Sequence, residues 1–431
     1  MGHQVNIDRE HRLLRQQMGR HVTGAPESPA ILKILAILYS PEDAQLVRQI
    51  PIRPTRLSAL ARKLGKPPEE VRERLEALAH RGLIFDFEHK GERWYTLPPI
   101  LGGIYEFVMM RPRDDVPMDE LARLFDDYLN GDRGFVRAAY AGETQFARAL
   151  VREEALPQED HSEILDFERV TRIVEEASLI SVALCPCRHK NTHLGTACDR
   201  PQRTCLSLNT GAEAMIHSGI SERIDAREAL RIIDESKAAG LAQVGDNVQR
   251  KGSFICNCCG CCCTLMHGMR TCDVHHAVMS TNWIAEVDTG TCVGCGQCTE
   301  ACPMRALALT DDASGHVPRK HAVLKPELCL GCGVCYTVCR AGAIRMTQRP
   351  QRVFTPETTF DMVSHMAIER GKVVELLFEN PQRLSHRAIA RLLHTLEKSS
   401  PWRAAMAVRP LRSAFLNTFI RLSKDAREAR N

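Results

Sequence analysis

The chain has 431 residues, too many for one hydrophobic core, and its length points to about three domains at ~150 residues each. Its 57 Lys and Arg against 53 Asp and Glu leave a net charge of only +4, too weak to argue for a nucleic-acid partner. Nineteen cysteines, an odd number with many adjacent or two apart, exclude a secreted disulfide framework and read as metal ligation in a reducing compartment.

Met1 to Arg20 is charged and lacks an apolar h-region, and no run of 18 apolar residues exists. The expectation is therefore a cytoplasmic protein. The predicted class is α+β and multidomain. Residues 1–28 are a polar lead-in. Over 29–130 the pattern is mainly helical: Ile31, Leu32, Leu35 and Leu38 share one face, and Ser40-Pro41-Glu42-Asp43 opens a second helix with Ser as N-cap and Pro at the first position. Leu57, Leu60, Ala61 and Leu64 form a third helix ended by Gly65, and Val71, Leu75 and Leu78 a fourth ended at Gly82. Leu83 to Phe87, Lys90-Gly91, and Trp94 to Leu97 read as a hairpin.

Helices followed by such a hairpin resemble a winged helix-turn-helix. The candidate reading helix, Pro68 to Arg81, carries Glu69, Glu70, Glu73 and Glu76 against Arg72, Arg74 and Arg81. A DNA-reading face should be basic. A protein-docking module is the favoured reading, with a DNA reader as the rival.

Residues 131–283 form a mixed, cysteine-rich middle domain with Cys185, Cys187, Cys198 and Cys205, and a helix that Asp225-x-x-Glu228 opens and Gly240 stops. Its later part, Phe254 to Cys263, packs Cys256, Cys258, Cys259, Cys261, Cys262 and Cys263 into eight residues. Buried free thiols gain nothing from adjacency, so these ten cysteines are candidate ligands. Four thiolates hold one [4Fe–4S] cube. The ten can support two further clusters with two thiols to spare, or one larger centre. A structural zinc site or a redox-active vicinal thiol pair stays open. His267, Cys272, His275 and His276 are nearby spare donors that the reading leaves out. Cys258-Cys259-Gly260 looks like a fragment of the CCG motif of heterodisulfide-reductase-type subunits.

Residues 284–350 carry two runs of one spacing, Cys292-x2-Cys295-x2-Cys298-x3-Cys302-Pro303 and Cys329-x2-Cys332-x2-Cys335-x3-Cys339, repeated at a period of 37 residues. In runs of this spacing three thiolates wrap one cube and the fourth crosses to the other. Gly294, Gly296, Gly331 and Gly333 keep the wrapping loops free of Cβ clashes. Two zinc knuckles would not need the fourth cysteine. The stretch resembles bacterial two-cluster ferredoxins over 284–347. That likeness implies Cys292, Cys295, Cys298 and Cys339 for cluster one and Cys329, Cys332, Cys335 and Cys302 for cluster two. One departure is Arg340 after Cys339, where the family usually has proline. Most of the chain resembles anaerobe proteins of 4Fe–4S ferredoxin type with an N-terminal winged helix, Cys185-Pro186-Cys187-Arg188 and Cys256 to Cys263 carrying that likeness.

Residues 351–431 are again helical in pattern. Leu411, Phe415, Phe419 and Leu422 form a stripe in a tail with Arg403, Arg409, Arg412, Arg421, Lys424, Arg427 and Arg430. It can pack on its own domain, the favoured reading, or make peripheral contact with an anionic membrane. No nucleotide, c-type haem or usual radical-SAM motif is present. The expectation is an electron-transfer component of an oxidoreductase with two [4Fe–4S] clusters and one or two further ones, served by protein redox partners. The rivals are a redox-sensing winged-helix regulator and a reductase acting at the Cys256–Cys263 centre.

Overall fold

The computed structural model describes residues 7–156, 166–271, 277–312 and 319–377, with Val274, Thr395, Ser399 and Pro401. Cys272, His275, His276 and nearly all of the basic tail lie outside the described residues. Helix and sheet are both present throughout, an α+β mixture, and no helix among the described residues is long and apolar enough to cross a membrane.

The N-terminal part opens with α1 (Ile7–Met18), α2 (Pro29–Leu38) and α3 (Pro41–Val47). Ser28 and Ser40 cap the latter two by accepting from Ile31 N–H and Asp43 N–H, with proline next in each. α2 buries Ile31, Ile34, Leu35 and Leu38, while Leu32 stays half-buried. α1 also joins this core through fully buried Leu14 and Met18. β1 (Thr55–Arg56), α4 (Leu57–Leu64), α5 (Pro68–His80), β2 (Phe85–His89) and β3 (Glu92–Thr96) follow, and the strands form an antiparallel sheet in the order β1-β3-β2. Gly65 closes α4 in the left-handed conformation, as its position requires. The hairpin starts two residues later than the sequence suggests because Leu83 and Ile84 are taken into the core ahead of the strand. α6 (Tyr105–Met109), α7 (Met118–Asp126) and α8 (Arg133–Ala139) extend the helical layer.

The middle part is built on one six-stranded antiparallel sheet. In chain order it contributes β4 (Ala147–Ala149), α9 (Val170–Glu175), β5 (Ile180–Leu184), α10 (Pro186–His193), β6 (Arg203–Leu208) and α11 (Asn209–His217). Then come β7 (Glu222–Ile224), α12 (Ala226–Ala238), β8 (Ala242–Asp246), β9 (Phe254–Cys258) and α13 (Thr264–Thr271). The strand order is β4-β8-β9-β6-β5-β7. One face buries Val182, Leu206, Leu208 and Ile255 against α9 and α12 residues such as Val174, Ile232 and Ile233. Strand alternation therefore turns Cys205, Cys256 and Cys258 to the opposite face.

The cysteine-run part comprises β10 (Trp283–Val287), α14 (Gln297–Ala301), β11 (Leu307–Asp312), β12 (Arg319–Leu324), α15 (Val334–Val338) and β13 (Ile344–Gln348). β10 pairs with β13 and β11 with β12, both antiparallel. α16 (Thr359–Glu369), opened by a Thr358–Asp361 capping box, and α17 (Val373–Leu377) end the described chain.

Candidate metal centres

Each paired run wraps a loop and ends in a short helix, which brings its third cysteine, Cys298 on α14 or Cys335 on α15, back over the loop. Gly294, Gly296, Gly331 and Gly333 all have positive φ. At two of them the neighbours also leave no room: a Cβ on Gly294 would lie 2.3 Å from the Lys320 carbonyl oxygen, and one on Gly331 2.1 Å from that of Trp283. Two small cavities result. Cys292, Cys295, Cys298 and Cys339 line one, and Cys302, Cys329, Cys332 and Cys335 line the other. Each quartet thus takes three residues from one run and its fourth from the other.

The crossing cysteines are treated alike. Ala306 N–H donates to Cys302 Sγ and Ala343 N–H to Cys339 Sγ, both at 3.3 Å, so in each run the donor lies four residues on. Such N–H···S bonds stabilise negative charge on sulfur and set cluster potential. Burial pushes the Cys332 thiol up to about 12, the response of a group placed among apolar neighbours with its charge uncompensated. Arg340, the departure after Cys339, is exposed.

The ten upstream thiols divide in a way that chain order does not suggest. Cys198 joins Cys259, Cys261 and Cys262, with all four Sγ atoms within 4.8 Å of one another. The remaining six, Cys185, Cys187, Cys205, Cys256, Cys258 and Cys263, line one cavity together. The sheet register explains half of the six. β6 and β9 pair with Leu206 opposite Ile255, which sets Cys205 beside Cys256, and Cys258 follows two residues on along the same face. Cys185 and Cys187 come from the start of α10, and Cys263 directly precedes α13. The neighbouring Cys185 and Cys205 thiols hold Cys187 and Cys256, respectively, well below the ordinary thiol value.

Arg188 is fully buried between the two groups. It donates to the Asn257 carbonyl oxygen at 3.0 Å, to Thr204 Oγ1, and to Cys259 Sγ at 3.9 Å. Burial opposes its charge, but Cys185 and Cys259 outweigh that and hold the guanidinium protonated above its usual range. On the outer side Arg200 reaches Cys261 Sγ at 3.7 Å.

A third, much larger cavity of about 440 Å³ opens onto the six thiols. All six line it, as does Cys259 of the other group, together with an apolar wall that includes Leu101, Phe146, Met215 and Val363. Glu106 and Asp246 also face it, raised by burial to about 8 and about 6.

The turn between Cys259 and Cys261 lies against the second cradle: a Cβ on Gly260 would stand 2.4 Å from the Pro303 carbonyl oxygen. One continuous apolar cluster contains Cys258, Cys263, Met304, Leu330 and Cys332. Arg152 adds a polar tie, its N–H bonded to the Cys332 carbonyl and its guanidinium to the Leu241 carbonyl and Thr337 Oγ1.

Arg188 stood in the sequence only as part of the Cys-Pro-Cys-Arg element, and Arg152 and Arg200 carried no motif at all. Arg188 directly after Cys187 and Arg200 two residues after Cys198 were the sequence signals for those two, whereas Arg152 lies far along the chain from any cysteine and had none. His267 lines none of the three cavities.

Residues 291–343 match the family model of the 4Fe–4S dicluster domain. No curated protein and no solved structure matches the chain. The protein is thus an iron–sulfur protein whose cluster-binding chemistry includes this domain.

Proposed function

We propose that the protein is the electron-transfer component of an oxidoreductase, with two [4Fe–4S] clusters passing low-potential electrons to or from the thiol centres of the middle part. Cluster one takes Cys292, Cys295, Cys298 and Cys339, and cluster two takes Cys302, Cys329, Cys332 and Cys335. The observation that carries this reading is the exchange of one cysteine between the two cavities, the arrangement a two-cube ferredoxin needs. When bound, the cubes supply one-electron chemistry. The chain's own residues offer N–H groups to sulfur and hold the second cradle against the Cys259–Cys261 turn.

The parts follow as a winged-helix-like module over 29–130, the cysteine-rich part over 131–283, the dicluster part over 284–350 and a helical C-terminal region. The favoured role for the winged module is docking. Its hairpin is engaged within the chain, where Arg93 pairs with Glu213 of α11 at 2.8 Å and Glu88 N–H donates to the same carboxylate. A DNA-reading wing would need that surface free.

A second reading is favoured by the third cavity: the six-thiol centre binds and reduces a small, largely apolar molecule, fed by the two cubes. The six thiols are Cys185, Cys187, Cys205, Cys256, Cys258 and Cys263.

Anaerobic iron analysis with EPR on the reduced protein tests the proposal. About 8 irons per chain come from the two cubes alone, and more if the six-thiol centre also holds iron. Two or fewer irons would overturn it. For the second reading, carbon monoxide and n-butyl isocyanide serve as probes. A change in the EPR signal that the Cys256→Ala variant lacks supports it, and an unchanged spectrum refutes it.

A further inference from the structure

We propose that Cys198, Cys259, Cys261 and Cys262 hold a single tetrahedral metal ion, and not a cube. A divalent ion such as zinc sits ~2.3 Å from thiolate sulfur, and a regular tetrahedron then sets its sulfurs ~3.8 Å apart. The sulfurs of Cys198 and Cys259, of Cys198 and Cys262, and of Cys261 and Cys262 are each 3.8 Å apart. In a cube each thiolate holds a different iron, so the metal–metal edge spreads the sulfurs further. The two ferredoxin-type quartets of this same chain illustrate that spacing. Neither gathers its four sulfurs within 4.8 Å, and each surrounds a cavity instead.

The surroundings suit a closed tetrathiolate. Four thiolates around one divalent ion carry two negative charges, and Arg188 and Arg200 place guanidinium nitrogens 3.9 and 3.7 Å from Cys259 and Cys261. Three ligands come from one tight turn and the fourth from the segment between α10 and β6, a long-range tie of the kind a structural ion supplies. The ion fastens the turn that carries Gly260 against Pro303. The site therefore holds the junction between the second cradle and the six-thiol centre in place. Zinc and a single iron share this chemistry, and the experiment separates them.

The full chain, purified anaerobically, is analysed for zinc and iron alongside Cys261→Ser, whose ligand is the exposed one of the four. Loss of one zinc per chain with iron unchanged is the expected result. Loss of one iron, with the EPR of an isolated ferric tetrathiolate disappearing, assigns the same site to iron. Loss of about four irons, or no change in either metal, would overturn the proposal. Zinc-edge X-ray absorption on the unsubstituted protein covers the case in which the variant does not fold. A shell of four sulfurs with no metal neighbour supports the assignment for zinc, and zinc absent together with iron only in multiples of four refutes it. Failure here leaves the two-cube reading untouched, because that reading is tested on the other eight cysteines.

Discussion

Gly260 and Pro303 meet backbone to backbone. A Cβ at residue 260 would lie 2.4 Å from the Pro303 carbonyl oxygen and 2.8 Å from its Cα. Backbone cannot swing aside as a flexible side chain can, so the cysteine-dense turn and the segment after Cys302 approach this closely only because residue 260 has no side chain.

Gly260→Ala is therefore expected to push the two segments apart. Overpacking of this kind costs about 1–3 kcal/mol. Urea unfolding under anaerobic conditions should show that loss, and rapid-mixing reduction should show slower electron passage beyond the second cradle. An alanine variant with unchanged stability and rates would mean that the contact does not couple the two centres.

Cys298 and Cys302 are four residues apart at the ends of one short helix yet line different cavities. Cys302→Ala and Cys335→Ala should abolish the same EPR signal, while Cys298→Ala and Cys339→Ala should abolish the other. If Cys298→Ala and Cys302→Ala removed one common signal, the exchange of ligands between runs would be wrong.

Glu213 ties the hairpin to α11 by accepting from Arg93 at 2.8 Å and from Glu88 N–H at 3.1 Å. Beside it Asp86 is fully buried and faces Arg93 at 3.3 Å and His217 at 3.1 Å. Glu213→Ala leaves Arg93 with less compensation, and a lost charged hydrogen bond of this type costs about 1.5–3 kcal/mol. Amide hydrogen exchange over residues 85–96 should accelerate while exchange in α2 stays slow. Uniform acceleration across the chain would show that the tie is not local.

Lys372 donates from Nζ to the Gly19 and His21 carbonyl oxygens, linking the start of α17 to the segment after α1. Burial pushes its ammonium down to about 8, opposed by Glu375 and assisted by Arg370. Between pH 8 and lysine's ordinary value of ~10.4 the folded chain has released this proton while the unfolded chain still holds it. The unfolded state then binds more protons, so this group's contribution to stability rises with pH, by up to ~1.4 kcal/mol per pH unit. The unfolding free energy of Lys372→Met, measured at pH 8, 9 and 10, should rise less steeply than that of the unsubstituted protein. Parallel slopes would contradict the buried, deprotonating lysine.

Local spacing made much of the molecule legible from sequence. Three cysteines two residues apart wrap a loop whatever lies elsewhere, Ser40 followed by Pro41 starts a helix, and Gly65 ends one, because these choices depend only on neighbours along the chain. The helices from Pro29 onward and the hairpin were readable for the same reason, although the burial of Leu83 and Ile84 moved the strand start; α1 was not, because the lead-in read as polar while Leu14 and Met18 are fully buried.

The division of the other ten thiols was not legible, since nothing in spacing links Cys198 to Cys259 across sixty residues or parts Cys258 from Cys259. Antiparallel pairing of β6 with β9 set Cys205 beside Cys256, and strand alternation sent Cys256 and Cys258 to one face while the chain turned before Cys259. Sequence by itself determined that this protein gathers sulfur around metal. Tertiary structure alone decided which sulfurs share a centre, because sheet register and the Gly260–Pro303 contact are long-range relationships that local spacing does not encode.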